Sequence, residues 1–382
     1  MYDVIIIGGG ASGVMCAITA SQKKKKVLLL DAGAYPAKKL LVTGNGKCNI
    51  TNIDCDNMFY NQNIDEYLKR FSQVDTLNFF SELGLIVYND AQGRVYPFSN
   101  SAKSVVEVLH NRLKKLNVET KPNTLVTNVS KNNEVYIVKT QSESYYSKNV
   151  VVASGGNSVK EYLNNLLPQS TDIMPSLCAL LTESTKKLSG IKLSNVLVTV
   201  KCGDVKKSEI GELLFKDSGV SGIVIFNLSS IFARQKSFLG EVCINLMPTH
   251  SFKEIERILN IRIKQNDNVE QVFTGWFVKE IGNEILRKAN VDVKTKCNKL
   301  TDVQIKNIAN TIACLKYEVV GCCDNNQVFS GGVKLDVLTK NLESKKHKGL
   351  YFCGEVLDVD GVCGGYNLQW AWTSGHIVGE SL

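Results

Sequence analysis

Glycines near both ends of the chain occur in patterns that let the backbone approach a phosphate-bearing ligand. Gly8, Gly10 and Gly13 follow a short apolar run with the spacing Gly-x-Gly-x-x-Gly. Residues 349–375 contain a second glycine-rich segment between an apolar run and a helical pattern. Glycine permits tight turns, and a helix start offers unpaired N–H groups and partial positive charge. Together the two segments predict one dinucleotide held between the two ends of the chain.

The spacing of the N-terminal residues matches a dinucleotide-binding turn. Gly8 permits the turn, Gly10 lets a pyrophosphate approach the backbone, and Gly13 allows close packing of helix on strand. Asp31 ends the second predicted strand and can bind ribose hydroxyls. An enzyme that binds only a pyridine nucleotide would not also need the C-terminal glycine-rich segment. FAD enzymes of the two-dinucleotide type use such a segment at the ribityl chain and flavin ring, so the residues favour FAD.

The elements that must position these residues follow a βαβ order. Residues 2–7 predict a strand buried on both faces, residues 11–22 a helix, and residues 27–30 a second buried strand. Residues 37–52 are rich in Gly, Asn and Thr, which is typical of a ligand-facing loop. The other elements predicted for this part are helices over 65–84 and 102–117, strands over 125–129, 135–140, 150–153 and 350–353, and a helix beginning near Asn367.

The pattern changes from about residue 175, where alternation of apolar and polar residues indicates antiparallel strands. Such strands are predicted over 196–202, 212–215 and 241–246, and amphipathic helices over 252–265, 269–288 and 303–315. Strands return over 318–321 and 327–329. The order of elements predicts an α/β protein in which a Rossmann-type domain, made from both chain ends, is interrupted by a strand-plus-helix domain.

Size and composition indicate an ordinary globular protein of two or three domains. The chain has 382 residues, of which 44% are hydrophobic and 21% charged. No apolar run reaches the roughly 18 residues that span a bilayer, and Met1 leads directly into a predicted strand. We therefore expect a cytoplasmic protein that does not bind membranes.

The cysteines and the net charge restrict the partners. The 12 cysteines include no Cys-x-x-Cys pair, so neither a zinc site nor a dithiol redox motif is predicted, and we expect reduced thiols and no metal. The net charge of +8 is compatible with a polyanion such as RNA. We interpret the basic run at residues 23–26 as a solvated helix end. The basic patches at Lys186-Lys187 and at residues 345–348 favour RNA as the partner.

Several motifs together carry a family resemblance. They are AKKLLVTGNGKCNITN at 37–52, GRVYPFSNSA at 93–102, ASGGNS at 153–158, GELLFKDSGVSG at 211–222 and GEVLDVDGVCGGYNLQWAW at 354–372. With these motifs the chain resembles the BaiN-like, aminoacetone-oxidase-type FAD-binding flavoproteins. The resemblance implies a FAD domain of the two-dinucleotide-binding flavoprotein type, interrupted by a β-barrel-like domain and a helical subdomain. The expected boundaries are 1–174 with 331–382 for the FAD domain, 175–250 with 316–330 for the β-rich domain, and 251–315 for the helical subdomain.

The resemblance also implies which residues bind FAD. They are Gly8, Gly10, Ala11, Ser12, Gly13 and Asp31 in the N-terminal unit, Lys39, Thr43, Gly44, Cys48 and Asn49 in the loop, Val126, and Gly354, Glu355, Gly365, Asn367 and Leu368 near the C-terminus. The family's Gly- and Thr-rich stretch after Gly156 is replaced here by a shorter segment, residues 158–174. Any role of that stretch in substrate capture by the family is therefore not expected of residues 158–174.

For proton transfer we single out Cys48, because it lies in the loop expected at the flavin and Lys47 beside it would lower its pKa. Packing and flavin contact are the alternative roles of Cys48. Arg94 either binds an anionic substrate or braces the FAD domain, and Cys363 and His376 are interpreted as incidental.

The resulting hypothesis is a reductase of an activated carbon–carbon double bond, with NADH or NADPH as a transient electron donor. Its substrate would be uridine in ribosomal RNA or its precursor, or a small enone such as an oxidised bile acid. Two other classes stay open: an oxidase of a small amine or aminoketone, and a flavin-binding scaffold without turnover.

Overall fold

A computed structural model describes residues 1–156, 159–183, 185–323 and 327–382. The chain forms two compact units. The first comprises Met1–Met174 with Val328–Leu382, and the second comprises Pro175–Gln327. No helix among the described residues is both long enough and apolar enough to cross a membrane.

The strands and helices are numbered in chain order. The strands are β1 (Tyr2–Ile7), β2 (Val27–Leu30), β3 (Thr51–Asn52), β4 (Val87–Asn89), β5 (Arg94–Pro97), β6 (Glu119–Lys121), β7 (Val126–Asn132), β8 (Val135–Thr140), β9 (Ser144–Val152), β10 (Met174–Ser176), β11 (Leu180–Thr182), β12 (Lys192–Cys202), β13 (Val205–Lys216), β14 (Gly219–Ser221), β15 (Gly240–Asn245), β16 (Leu315–Cys322), β17 (Val328–Ser330) and β18 (Leu350–Phe352). The helices are α1 (Ala11–Gln22), α2 (Asp65–Leu68), α3 (Gln73–Glu82), α4 (Ala102–Lys115), α5 (Val159–Leu163), α6 (Ile223–Arg234), α7 (Phe252–Gln265), α8 (Lys279–Lys288), α9 (Asp302–Ala313) and α10 (Tyr366–Ser381).

The first unit is built on a sheet that joins the two ends of the chain. The strands follow the order β6-β2-β1-β9-β8-β7, and β18 pairs with the second half of β9. β1, β2, β9 and β18 run parallel, and the apolar residues of β1 and β2 are almost fully buried. Because β1 and β18 flank β9, their carboxyl ends lie at one edge of the sheet. The predicted Rossmann-type domain from both chain ends is confirmed.

Two helices at this edge pack closely because the C-terminal helix carries glycines on the facing side. A Cβ on Gly375 of α10 would lie 2.4 Å from the carbonyl oxygen of Ser12 in α1. A Cβ on Gly379, one turn later, would lie 2.6 Å from Cβ of Thr19. Glycine at both positions therefore permits the two backbones to approach.

A small sheet, β3-β5-β4, extends from the glycine-rich loop and is fixed to α10. The Thr51 hydroxyl donates to Oε1 of Gln369 at 2.6 Å, and the Trp372 indole N–H donates to the Ile50 carbonyl at 2.9 Å. These bonds are buried, where such partners are needed. The loop that precedes β3 is consequently held against the start of α10.

The second unit contains a closed barrel of antiparallel strands in the order β11-β14-β13-β12-β15-β16. Alternation along β12 buries Val196, Val198 and Val200, as the period-two pattern predicts. The β-barrel-like domain expected from the resemblance is confirmed. The helix predicted over 269–288 is wrong in extent: a 3₁₀ turn covers Val269–Phe273, and α8 begins only at Lys279. Gly275 between them has a left-handed φ of +74°, which breaks the helix.

One pair of cysteines contradicts the expectation of reduced thiols. Cys243 on β15 and Cys314 after α9 form a disulfide with a Cα–Cα distance of 5.2 Å. The two residues are 71 positions apart, so their spacing carries no signal of this pairing. The antiparallel contact of β15 with β16, which begins directly after Cys314, brings them together.

The barrel unit also contains a buried carboxylate. Glu284 on α8 accepts hydrogen bonds from Arg287 at 2.7 Å and from the Tyr317 hydroxyl at 2.9 Å. Burial acts to raise the pKa of Glu284, but the hydrogen bonds from Arg287 and Tyr317 outweigh it and hold the pKa below its usual value. The ionised form is therefore the one that the folded state prefers.

We predict that Glu284→Gln lowers the free energy of unfolding at pH 7 by about 2 kcal/mol, because Arg287 and Tyr317 lose a buried anionic partner. A carboxylate with a lowered folded pKa stabilises the protein above its unfolded pKa of about 4.3 and loses this effect as the pH falls further. The difference from wild type should therefore be full above about pH 5 and shrink below about pH 4. Urea unfolding followed by circular dichroism measures it, with Glu280→Gln, on the exposed side of the same helix, as the control. An equal effect of both variants would contradict the assignment.

Candidate cofactor site

The turn between β1 and α1 contains two kinds of glycine. Gly8 and Gly13 are required by close packing of the chain, whereas Gly10 faces open space. Gly8 has a φ of +105°, and a Cβ there would lie 2.5 Å from the Ala153 carbonyl oxygen. A Cβ on Gly13 would lie 1.9 Å from the carbonyl oxygen of Gly8. Around Gly10, at the N-terminal end of α1, a Cβ would meet no atom of the described residues within 4 Å, its own chain neighbours aside. This open space before a helix N-terminus, with Ala11 and Ser12 as the first helical residues, fits an anionic group.

Asp31 follows β2 directly and faces the same turn. Its Oδ1 accepts a hydrogen bond from the Gly33 N–H at 2.8 Å. Its Oδ2 would lie 2.3 Å from a Cβ on Gly9, so the carboxylate is next to the glycine turn. That location fits a hydrogen bond to ribose hydroxyls beside a bound pyrophosphate.

The C-terminal segment contacts this turn directly. The Ser12 hydroxyl donates to the Cys353 carbonyl at 3.3 Å, although the two residues are 341 positions apart. Gly354 has a φ of +79°, and a Cβ there would lie 2.2 Å from Oγ of Ser12. The Gly354 N–H donates to Oγ of Ser374 at 2.9 Å. The two glycine-rich segments recognised in the sequence therefore form one continuous site.

Glu355 links the C-terminal segment to the loop after β2. Its Oε2 accepts from Nζ of Lys39 at 3.1 Å, and its Oε1 accepts from the Phe329 N–H at 2.9 Å. Lys39 is more than half exposed, so this ion pair contributes little to stability. It orients two side chains at the carboxyl edge of the sheet.

The loop after Lys39 is tightly wound. The Thr43 hydroxyl donates to the Leu40 carbonyl at 2.7 Å, and the Cys48 N–H donates to the Thr43 carbonyl at 3.0 Å. Gly44 has a left-handed φ of +54°, and a Cβ there would lie 2.6 Å from the Asn49 nitrogen. This winding buries the Asn49 side chain, whose Oδ1 has no hydrogen-bond partner among the residues that the structure describes.

The unpartnered oxygen of Asn49 lies beside the start of α10. Gly365, at the N-terminal end of this helix, has a φ of +103°, and a Cβ there would lie 3.0 Å from Oδ1 of Asn49. A buried acceptor without a partner is destabilising unless a ligand supplies a donor. The flavin ring carries an N–H group adjacent to a carbonyl oxygen. The N–H group can donate to Oδ1 of Asn49, and the carbonyl oxygen can accept from the N–H groups at the start of α10. The residues present therefore fit FAD.

Three other predicted residues have structural contacts. The Asn367 side chain accepts from the Gly361 N–H and donates to the Gly361 carbonyl, both at 2.8 Å, so it closes the loop before α10. Leu368 packs against the core of the first unit, and Val126 is buried at the start of β7. The sequence did not predict the role of Ser374, whose Oγ accepts a hydrogen bond from the Gly354 N–H. A serine within a helical pattern does not by itself indicate such a role.

Cys48 differs from expectation in one respect. The prediction that Lys47 lowers its pKa is wrong: burial raises the pKa of Cys48 to about 12, only partly offset by a hydrogen bond with Thr43. The Lys47 ammonium lies 6.0 Å from the centre of the Tyr96 ring. Cys48 is thus a neutral, buried thiol, and its catalytic role stays a prediction.

The Rossmann-type sheet, the split glycine site and the barrel define a FAD-dependent oxidoreductase. Comparison with known families supports this class, because the family described as HI0933-like protein Rossmann domain matches residues 2–381. The chain therefore belongs to that family.

Named relatives are similar over their whole length. A 3-dehydro-bile acid delta(4,6)-reductase of Clostridium scindens is 29% identical, and the match covers 98% of this chain and 98% of the relative. A ribosomal RNA dihydrouridine synthase of Escherichia coli is 29% identical over 100% of this chain and 98% of the relative. A protein of the same name from Haemophilus influenzae is 28% identical over 99% and 98%, respectively.

We predict that Gly10→Ala and Gly13→Ala act on different properties. Gly10→Ala should leave the unfolding free energy of the FAD-free protein within about 1 kcal/mol of wild type but weaken FAD binding at least about 10-fold, because its methyl group enters the open space. Gly13→Ala should destabilise the FAD-free protein by more than about 2 kcal/mol, because the Gly8 carbonyl cannot yield. Urea unfolding and titration of flavin fluorescence measure the two effects. Wild-type FAD affinity in Gly10→Ala would place the pyrophosphate elsewhere.

Proposed function

We propose that the protein is a reductase that saturates a carbon–carbon double bond conjugated to a carbonyl group. The observation that carries this proposal is the full-length similarity to relatives of two names. A bile acid delta(4,6)-reductase and a dihydrouridine synthase both remove a double bond that is activated by a neighbouring carbonyl. The two names differ in substrate but share this reaction, so the reaction is the better-supported part of the proposal.

FAD, when bound, supplies the hydride to the substrate after reduction by NADH or NADPH. The protein's own residues hold and orient it. The turn from Gly10 to Gly13 would bind the pyrophosphate, and Asp31 the ribose. Asn49 and the N-terminal end of α10 would hold the polar edge of the ring, because they offer an acceptor beside N–H donors.

Two substrate classes are proposed in order. Uridine in ribosomal RNA or its precursor comes first, because two relatives carry that name and the net charge is +8. A small enone such as an oxidised bile acid comes second, because the bile acid reductase matches equally well. The basic runs 23–26 and 345–348 give RNA little support, since they precede β2 and β18 and so lie at the sheet edge opposite the carboxyl ends.

Anaerobic reduction tests the reaction class. We expect NADH or NADPH to bleach the bound flavin, and an enone or a uridine-containing RNA to restore its colour faster than buffer alone. Rapid hydrogen peroxide formation with an aminoketone on admission of air would instead support an oxidase. Failure of both nicotinamide donors to bleach the flavin would support a flavin-binding scaffold.

Mass spectrometry of ribosomal RNA distinguishes the substrates. Cells without this gene should lack dihydrouridine at one or more ribosomal positions, and the wild-type gene should restore it. Unchanged dihydrouridine would contradict the RNA proposal and leave the small enone. A gene copy with Gly10→Ala is the matched control for FAD dependence, since this variant is expected to fold.

We also predict that Cys48→Ala retains yellow, FAD-bound protein but loses product formation. The raised pKa of about 12 keeps the Cys48 thiol protonated at neutral pH. Cys16→Ala, at another buried thiol of the same unit, is the control for packing. Full turnover in Cys48→Ala would make Cys48 a packing residue.

A further inference from the structure

A half-buried polar face lies on β5, next to the cofactor loops. Along this strand Val95 and Pro97 are buried, whereas Arg94 and Tyr96 alternate with them and are partly exposed. Since strand residues two apart share a face, the guanidinium and the phenol lie on the same side of the sheet. The residues assigned above to FAD binding and to proton transfer do not include Arg94 or Tyr96.

Arg94 is held in place by acceptors on one edge of its guanidinium. Its Nε donates to Oδ2 of Asp90 at 2.7 Å, and its Nη2 donates to Oε1 of Gln92 at 2.7 Å. The Arg94 side chain keeps 27% of its surface exposed. A guanidinium fixed in this way loses little further freedom when it binds an oxygen atom.

Arg94 borders both segments that would hold FAD. It pairs across the sheet with Asn52, whose Nδ2 donates to the Gly364 carbonyl at 3.1 Å, in the loop before α10. On the other side, Nζ of Lys47, in the loop before β3, lies 6.0 Å from the centre of the Tyr96 ring.

We propose that Arg94 and Tyr96 form the substrate-oxygen subsite, in which they bind the carbonyl oxygen that is conjugated to the reduced double bond. This inference rests on the proposed function, because it assigns residues to the substrate of that reaction. Lys47 adds a second positive charge to the same face. The ligand class is a neutral carbonyl compound that becomes anionic during reaction, such as an enone or a uracil ring.

The chemistry needs a cation at this oxygen. Hydride addition to one carbon of a conjugated double bond moves the electron pair onto the carbonyl oxygen, and the proposed donor Cys48 then adds a proton to the neighbouring carbon. Together the two additions supply the two hydrogens of the saturated product. Arg94 stabilises the transient negative oxygen. Burial raises the pKa of Tyr96, so its hydroxyl stays protonated at neutral pH and can donate to the same oxygen.

The test uses full-length, FAD-loaded protein with Arg94→Gln, Arg94→Lys and Tyr96→Phe. Arg70→Gln, which removes another arginine of the first unit, is the control. Flavin reduction by NADH or NADPH, whichever bleaches the wild-type flavin, and reoxidation by an enone or a uridine-containing RNA are followed separately under anaerobic conditions. Arg94→Gln should slow substrate-dependent reoxidation by about 10- to 100-fold, the effect of losing a charge-assisted hydrogen bond. Arg94→Lys should recover part of that rate. Reduction by the same nicotinamide donor should stay unchanged in all variants.

A second measurement does not depend on turnover. A saturated analogue, such as a 3-oxo bile acid or dihydrouridine, should protect Arg94 from phenylglyoxal, as read by peptide mass spectrometry, and leave Arg70 reactive. If neither substrate reoxidises the wild-type flavin, the proposed reaction is wrong. Protection of Arg94 from phenylglyoxal then remains as the independent test of the substrate-oxygen subsite. Equal reoxidation by Arg94→Gln and wild type, or absence of protection, would overturn the inference. If Arg94 only braces the β4–β5 hairpin, Arg94→Gln and Asp90→Asn should lower the unfolding midpoint equally without changing reoxidation.

Discussion

The first unit depends on the pairing of β18 with β9, beside β1. Together with the parallel pairing of β1 with β9, this contact places residues near position 352 one strand away from residues near position 7 and aligns the carboxyl ends of all three strands. The hydrogen bond from Ser12 to Cys353 and the close approach of Gly354 to Ser12 follow from it. Because α10 continues from this strand and packs on α1, both the phosphate side and the ring side of the cofactor site require the same pairing.

Glycine makes that pairing possible at short range. Gly8, Gly13, Gly354 and Gly375 each occupy a position where a Cβ would approach another atom to 2.5 Å or less. Gly10 differs, because a Cβ there would meet no described atom within 4 Å apart from its own chain neighbours. The motif therefore contains two kinds of glycine: those that allow the chain to pack on itself, and one that leaves room for a ligand.

The sequence predicted those features of the structure that a local residue pattern determines. Period-two and apolar runs identified β1, β2, β12 and β18, and the glycine spacing identified the split site. Contacts that depend on three-dimensional neighbours could not be predicted. The disulfide between Cys243 and Cys314 and the burial that raises the pKa of Cys48 are of this kind. Lys47 adjoins Cys48 in sequence, yet its ammonium lies over Tyr96, so adjacency was a poor guide to electrostatics.

The arrangement of the chain also sets an order of events during synthesis. β1 leaves the ribosome first, but its neighbour β9 follows more than a hundred residues later, and β18 only after the whole barrel segment. Residues 175–327 form a unit with its own internal contacts, so they can fold while the first sheet still lacks a strand. A nascent chain thus carries the phosphate-binding turn long before it can hold a complete cofactor, and cofactor capture is postponed until α10 has emerged.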